Sequence, residues 1–281
     1  MERTPVPGRM EGKKAVVVGG GQPASQHVGI GRAIAESFAR EGAEVCVVDR
    51  VRDRADETVS KIEAHGGRAH SIAADVADPE SCTRLVEDAR TAMGRIDALV
   101  NNVATEEGDN DPLTLEVDGW QRVMDVNLRA MWLTCRAALP IMQDQRSGTI
   151  VNTSSAGSRT AGGSLFAYGM SKAGVDALTH KLAVMFAPWG IRCNSVLPAW
   201  VATQHSMDGL MQAGVAESEE EIFEFARRAN PLGRMGTAWD VANAVLFLSS
   251  DESCHTTGVN FPVDGGTTVV IGQYQRPRNA P

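Results

Sequence analysis

Tyr168 and Lys172 stand four residues apart in Tyr168-Gly169-Met170-Ser171-Lys172. On a helix that spacing stacks the two side chains on one face, an ammonium beneath a phenol. Nearby positive charge favours the phenolate and pulls the phenol down from its usual pKa near 10. Lowering it to roughly 7.5 takes about 3.4 kcal/mol of preferential interaction with the anion. A buried lysine and a second, bound positive charge together supply that. A phenol tuned this way takes a proton from an alcohol or gives one to a forming alkoxide. An i,i+4 Tyr/Lys pair is otherwise a plain surface contact. With two tyrosines and five lysines in 281 residues, a chance occurrence is expected about 0.04 times.

The neighbours of this pair decide its meaning. Thirteen residues before Tyr168 lies Ser155, just after Ile150-Val151-Asn152-Thr153, a β-branched run that reads as the end of a strand. Asn127 lies 28 residues before Ser155, in Val126-Asn127-Leu128. Near the start of the chain, Ala15-Val16-Val17-Val18 is wholly apolar, as in a strand covered on both faces. Gly19-Gly20-Gly21 follows, and Gly29-Ile30-Gly31 opens a helical pattern carrying Ile34 and Phe38. Strand, glycine loop and helix form the setting in which a pyrophosphate rests on a helix N-terminus. Gly20 and Ile30 are therefore candidate cofactor contacts, and the second positive charge is that of an oxidised nicotinamide. A second strand, Glu44 to Val48, ends at Asp49-Arg50. An acid there accepts hydrogen bonds from the adenosine ribose hydroxyls and repels the extra phosphate of NADP. Arg50 acts the other way, since a guanidinium binds that phosphate. Asp49 favours NAD.

The set Asn127, Ser155, Tyr168 and Lys172 resembles the Asn-Ser-Tyr-Lys tetrad of the short-chain dehydrogenase/reductase family, in its single-domain branch. The resemblance runs from Lys13 to about Val270. It implies Tyr168 as general acid/base and Lys172 as the group that lowers its pKa and binds the nicotinamide ribose. Ser155 is implied as donor to the substrate oxygen, and Asn127 as the residue that distorts its helix and holds a relay water. Asp75-Val76 matches the family's pair at the adenine. Asn101-Asn102-Val103-Ala104 stands where the family reads Asn-Asn-Ala-Gly, with Asn102 bracing the central strands. Pro198-Ala199-Trp200-Val201-Ala202-Thr203 stands where the family holds the nicotinamide amide, with Pro198, Val201 and Thr203 matching. The phosphate loop departs from the pattern. Eight residues separate Gly20 from Gly29 where the family has three, and Gly19 replaces the usual threonine. A longer loop is similar to that of enoyl-acyl-carrier reductases, but that branch reads Tyr-x6-Lys, and the position seven before Lys172 is Leu165. The resemblance also implies a homotetramer built on pairs of long helices.

The elements that must position these residues alternate along the chain. Residues 52–65, Pro79 to Met93, Trp120 to Met131 and Trp239 to Leu248 read as helices, and Arg68–Ala74, Ile96–Val100 and Ile191–Leu197 as strands. Such alternation predicts an α/β, Rossmann-type, doubly wound parallel sheet in a single domain over 1–281. Residues 1–12 are expected to be a flexible N-terminus, 204–229 a substrate lid and 267–281 a tail. A net charge of −8 argues against a nucleic-acid surface. No apolar run reaches 18 residues, so no membrane span is expected. Five scattered cysteines without Cys-x-x-Cys suggest a cytoplasmic protein and no metal site.

The expected activity is reversible, NAD-dependent hydride transfer between a secondary alcohol (cyclic, aromatic or sugar-like) and its ketone. The alternatives are an NADP-dependent reductase of 3-oxoacyl thioesters or ketones and a non-catalytic cofactor sensor. Arg159, His205, Arg227 and Arg228 lie in regions able to reach an anionic substrate.

Overall fold

The computed structural model describes residues 8–160, 165–212, 214 and 216–270. The expected N-terminal segment up to residue 7 and the tail from 271 lie outside these. Seven strands form one parallel sheet: β1 (Lys14–Val18), β2 (Glu44–Asp49), β3 (Arg68–Ala73), β4 (Ala98–Asn101), β5 (Gly148–Thr153), β6 (Ile191–Pro198) and β7 (Asn260–Val263). Their spatial order is β3-β2-β1-β4-β5-β6-β7, so the order reverses between β1 and β4. In such a sheet ligands collect beyond the carboxyl ends of the strands at that reversal. The register aligns those ends, pairing Val18 with Val48 and Asn101, and Asn101 with Asn152.

The nine helices of the described residues are α1 (Ile30–Arg40), α2 (Arg52–Ala64), α3 (Pro79–Met93), α4 (Val117–Met124), α5 (Ala130–Gln145), α6 (Phe166–Phe186), α7 (Gln204–Gln212), α8 (Glu219–Ala229) and α9 (Ala238–Ser249). Because the sheet is covered on both faces, its strands are apolar at successive positions, as in Ala15 to Val18. One face packs α1, α2 and α9 through Ile34, Phe38, Ile62 and Val245. The other packs α3, α5 and α6 through Leu85, Leu133 and Leu182. Burying a side chain such as Phe38 contributes about 1.5–3 kcal/mol. α3 starts where expected, with Pro79 at its first position and the Asp78 carboxylate accepting from the amides of Glu80 and Ser81.

Two departures concern the ends of elements. Residues 8–12, expected to be flexible, dock on the turn after α1. Met10 is fully buried and its amide donates to the Glu41 carbonyl at 2.9 Å. The helix expected around Trp120 to Met131 is interrupted by a π-helical turn, Asp125–Arg129, that separates α4 from α5 and carries Asn127.

Candidate active site

The start of α6 carries Tyr168 and Lys172. Leu165 offers this helix no side-chain cap. The Asp109 carboxylate, from the loop after β4, accepts instead from the amides of Ala167 (2.9 Å) and Tyr168 (2.7 Å). An anion at a helix N-terminus is favourable both as acceptor and against the helix dipole. Lys172, 1% exposed, donates from Nζ to the Thr153 carbonyl at 2.9 Å and lies 5.5 Å from the centroid of the Tyr168 ring. Ser155, whose Oγ accepts from the Gly157 amide at 3.1 Å, favours the Tyr168 phenolate. Asn127, fully buried, donates to the Thr105 carbonyl (3.0 Å) and to Ser171 Oγ (3.1 Å), and accepts from the Thr105 amide at 2.8 Å. Ser171 Oγ in turn donates to the Tyr168 carbonyl at 2.7 Å. The four residues picked from the sequence thus come together, with Asn127 linked through Ser171 to the Tyr168 carbonyl and Lys172 lying by the Tyr168 ring, and the π turn is the helix distortion at Asn127. Such turns recur at functional sites.

The electrostatics differ from the expectation. Burial pushes the Tyr168 phenol up to about 12, the negative charge of Glu106 adds to this, and the bond to Ser155 opposes it. Burial brings the Lys172 ammonium down to about 8, against Glu106 and Asp176, which hold the proton on. The protein alone therefore does not lower the phenol. The ammonium lies under the ring and is bonded to a carbonyl, and desolvation outweighs its charge.

The cofactor residues line the carboxyl ends of β1, β2 and β4. A Cβ on Gly31 would fall 1.8 Å from the Gly19 carbonyl oxygen, and one on Gly21 2.8 Å from the Asp49 carboxylate. Only glycines allow this close approach. Gly19 itself takes a φ of +82°, which the threonine usual in the family would adopt only under strain. That left-handed turn lets the backbone leave β1 into the longer loop. A Cβ on Gly20 would meet Val47 at 2.9 Å. α1 begins at Ile30 with no side-chain cap from Gly29, whose amide donates to Gln22 Oε1 at 2.6 Å. Asn102 braces three strands, donating to the Gly19 carbonyl (3.1 Å) and accepting from Thr153 Oγ1 (3.2 Å). Asp49 ends β2 over the glycine loop, with Oδ1 accepting from the Val51 amide at 2.9 Å, while Arg50 is exposed. Asp75 is exposed, with one carboxylate oxygen accepting from the Ala77 amide at 2.9 Å, and Val76 is buried. Val103 and Ala104 are half-buried, and Ala104 keeps an ordinary backbone. A glycine cradle, an uncapped helix start and an acid at the end of β2 fit a dinucleotide.

At the nicotinamide end, Pro198 closes β6, and Val201 forms an isolated bridge to Gly236. Thr203 Oγ1 accepts from the Ser206 amide at 3.2 Å and donates to Ser206 Oγ at 3.1 Å, so here it caps α7. Ala199 keeps an ordinary φ, and the left-handed residue is Trp200, at +52°. That conformation costs a bulky side chain about 1–2 kcal/mol. It is held by the Gly236 amide, which donates to the Trp200 carbonyl at 2.9 Å, and by Phe225, whose ring meets the indole edge-on at 5.1 Å. The lid region forms α7 and α8 around a small core of Met207, Ala216, Ile222, Ala226 and Met235, with Trp200 packed against it. Ser218 caps α8. The cations picked for an anionic substrate are engaged elsewhere. Arg159 donates to the Asn260 carbonyl, Arg227 and Arg228 pair with Glu224, and His205 lies 4.0 Å from Glu106.

Asp109, Glu106 and Trp200 were not singled out in the sequence, nor was the buried pairing of Asn101, the first residue of the Asn-Asn-Ala-Gly match, with Asn152. Asn101 donates to Asn152 at 3.0 Å and accepts from Thr134 at 2.8 Å, and Asn152 donates to Thr179 at 3.0 Å. These bonds tie β4 and β5 to α5 and α6. The available signal was an asparagine inside each of two otherwise apolar parallel strands. A cleft of about 530 Å³ between Met10, Ser147, Ile191 and Thr257 opens at the opposite end of the sheet and holds none of the tetrad.

Fold and site define a nicotinamide-dependent oxidoreductase of the doubly wound class, and comparison with known proteins agrees. The model of the enoyl-(acyl carrier protein) reductase family matches residues 24–268. A 7alpha-hydroxysteroid dehydrogenase from Clostridium sardiniense is 35% identical, over 95% of this chain and 97% of that protein. Glucose 1-dehydrogenase 2 of Bacillus subtilis (strain 168) is 33% identical, over 95% of this chain and 98% of that one. The crystal structure of carveol dehydrogenase from Mycobacterium avium in complex with NAD superposes with a TM-score of 0.87 at 29% identity, covering 94% of this chain and all of that one. The chain belongs to the short-chain dehydrogenase/reductase family and is an NAD(P)-dependent oxidoreductase acting on CH–OH groups.

Proposed function

We propose that the protein interconverts a secondary alcohol and its ketone with NAD, and that Asn127, Ser155, Tyr168 and Lys172 handle the proton. The observation that carries this reading is the cluster itself, in which the Tyr168 hydroxyl meets Ser155 while Lys172 lies buried under the ring. The nicotinamide supplies the hydride acceptor and, when oxidised, a positive charge. Gly20, Ile30, Asp49, Asp75, Val76, Asn102, Val103 and Ala104 hold the adenosine and pyrophosphate side. Pro198, Val201 and Thr203, with Tyr168 and Lys172, hold the nicotinamide riboside. For Thr203 this asks its hydroxyl to serve both α7 and the cofactor.

The substrate hydroxyl sits against Ser155 Oγ and Tyr168 Oη, and its proton leaves to Tyr168 as the hydride departs. Ser155 steadies the developing alkoxide. Lys172 holds positive charge near the phenolate, and Asn127 completes the path to solvent. Asp49 supports NAD over NADP: its carboxylate lies against the glycine loop at the end of β2, as an acid that accepts from the ribose hydroxyls does, while Arg50 is exposed. A hydroxysteroid and carveol, named in two relatives, carry their hydroxyls on rings, which supports a cyclic substrate. We further infer a cytoplasmic homotetramer. Its long-helix interface would cover the exposed Trp132 of α5 and Val184 and Met185 of α6.

The test is reduced-nicotinamide absorbance with NAD and NADP in parallel, over cyclic, aromatic, sugar and hydroxyacyl alcohols at mildly alkaline pH. Turnover with NAD is expected. Tyr168→Phe is expected to lose about 10²–10⁴-fold in kcat while binding NADH within about twofold. Turnover with NADP alone would overturn the role of Asp49, and a Tyr168→Phe variant that keeps most activity would overturn the tetrad.

A further inference from the structure

The loop after β4 places one carboxylate where the proton chemistry does not use it. Thr105 is clamped to Asn127 through both its amide and its carbonyl. Two residues past Thr105 the backbone turns, with the Asp109 amide donating to the Glu106 carbonyl at 3.0 Å. Asp109 then caps α6 at Ala167 and Tyr168. Glu106 is thus fixed from both sides, between the end of β4 and the first turn of the catalytic helix. Its carboxylate reaches toward the lid. One oxygen lies 4.0 Å from His205 Nε2, beyond hydrogen-bond distance, and the other would lie 3.5 Å from a Cβ on Gly209. Among the described residues this carboxylate accepts no hydrogen bond, although its side chain is only 28% exposed. Its loop runs from Asn127 to the amide of Tyr168, which places it beside the first turn of α6, and its charge acts on both Tyr168 and Lys172. A carboxylate has about four acceptor positions, and those of Glu106 are open to a donor that enters the site. Gly209, which has no side chain, leaves space in front of it.

We propose that Glu106 is a specificity-determining residue that accepts a hydrogen bond from a second hydroxyl of the substrate, so that the substrate class is a neutral cyclic diol or polyol. This rests on the alcohol dehydrogenase reading above. The surroundings point the same way. Arg159 donates to the Asn260 carbonyl and Arg227 and Arg228 pair with Glu224, while His205 faces Glu106 at 4.0 Å, beyond hydrogen-bond distance. The mouth of the site therefore offers an acidic group with no arginine paired to it. A substrate carboxylate or phosphate near the carbinol meets repulsion there, whereas a hydroxyl meets an acceptor.

The test compares cyclohexanol, trans-1,2-cyclohexanediol and trans-2-hydroxycyclohexanecarboxylate as substrates of the whole enzyme with NAD. Wild type is expected to prefer the diol over cyclohexanol by about tenfold or more in kcat/KM, chiefly through KM. The hydroxy acid is expected to fall about tenfold or more below cyclohexanol. Glu106→Gln, of the same shape, should shrink the diol preference by about tenfold and raise the hydroxy acid relative to cyclohexanol. Glu106→Ala should abolish both differences. Each comparison is a ratio within one variant, so a loss of folded protein cancels. Turnover of all three at similar kcat/KM in wild type, or a diol preference unchanged in both variants, would overturn the role of Glu106 and leave the dehydrogenase reading standing. No turnover of any of the three, with cyclic alcohols of the wider panel equally inert, would overturn that reading and this one with it.

Discussion

The floor of the active site and its roof are built in opposite ways. The floor comprises the first turns of α6, the π turn with Asn127 and the ends of β4 and β5. There the polar side chains are buried and bonded several times over: Asn127 to Thr105 and Ser171, Lys172 to Thr153, Asn101 to Asn152 and Thr134. The roof comprises the long loop 22–28, α7 and α8. It is tied down by single bonds, Ser25 to Gln204 at 2.7 Å and His27 to Glu219 at 3.2 Å, by the edge-on contact of Trp200 with Phe225, and by a core of five buried side chains. Buried polar groups are costly to strand, whereas partly exposed pairs contribute little. Chemistry and stability are therefore coupled in the floor and separable in the roof.

The sharpest way to break this contrast is Asn127→Ala. It removes three hydrogen bonds and leaves both backbone groups of Thr105 without partners in a partly buried place. At about 1–3 kcal/mol for each stranded group, a loss of about 2–5 kcal/mol in unfolding free energy is expected. Turnover should fall with it, since Thr105 carries the loop that caps the catalytic helix. Urea melts read against kcat for the same preparation check both. A variant as stable as wild type but inactive would show that Asn127 acts only in catalysis, and the coupling drawn for the floor would fail.

Lys172 gives the same contrast a pH dependence. Its folded-state pKa is brought down to about 8 by burial, whereas in the unfolded chain the amine titrates at its ordinary value near 10.5. Between these values the unfolded chain binds the proton and the folded chain does not, so stability rises with pH across that window. The gain amounts to about 3 kcal/mol once pH exceeds both values. Below pH 8 the burial cost of the ammonium is fully present. Lys172→Met lacks this linkage. The stability of wild type measured against that variant should therefore climb from pH 8 toward pH 10, the upper limit being set by Tyr168, whose phenol is raised to about 12 and loses stability above its unfolded pKa near 10. A flat difference across pH 8–10 would mean that the amine is not desolvated.

The same division governs what the sequence discloses. The floor is legible because its chemistry needs fixed residue types at helical and strand-end spacing. Tyr168, Lys172 and Ser155 were singled out that way and Asn127 by its place in the family's tetrad, and the strands were read from apolar runs that cover both faces. The direction of the Tyr168 shift was not legible, because it depends on which way Lys172 Nζ points and on Glu106, 62 residues away in sequence. Asp109 was not legible either, since a cap from a distant loop leaves no local pattern at Leu165. In the roof the departures were visible only as departures. The eight residues between Gly20 and Gly29 and the replacement of threonine by Gly19 could be counted, but that the loop would bond to α7 and α8 could not. At Pro198-Ala199-Trp200 the match of Pro198, Val201 and Thr203 to the family gave no sign that the left-handed residue is Trp200.

The smallest effect expected belongs to those bonds across the roof. Ser25 joins the phosphate loop to Gln204 at the start of α7, and His27 joins it to Glu219 at the start of α8. One segment thus touches the cofactor cradle, through Gln22 and Gly29, and both lid helices. The His27–Glu219 pair is partly exposed and contributes less than about 1 kcal/mol. Ser25→Ala and His27→Ala should each leave unfolding free energy within about 0.5 kcal/mol of wild type, as for surface changes generally. If the loop links the two binding events, the double variant should raise the KM for NAD and for the alcohol together, by about two- to fivefold, with kcat changed less. This range follows from losing roughly 0.5–1 kcal/mol of contact made only when the lid is seated. A rise confined to the KM for NAD would make the loop a phosphate clamp alone. A drop of several kcal/mol in stability would make the roof as integral to the fold as the floor, and the contrast between them would disappear.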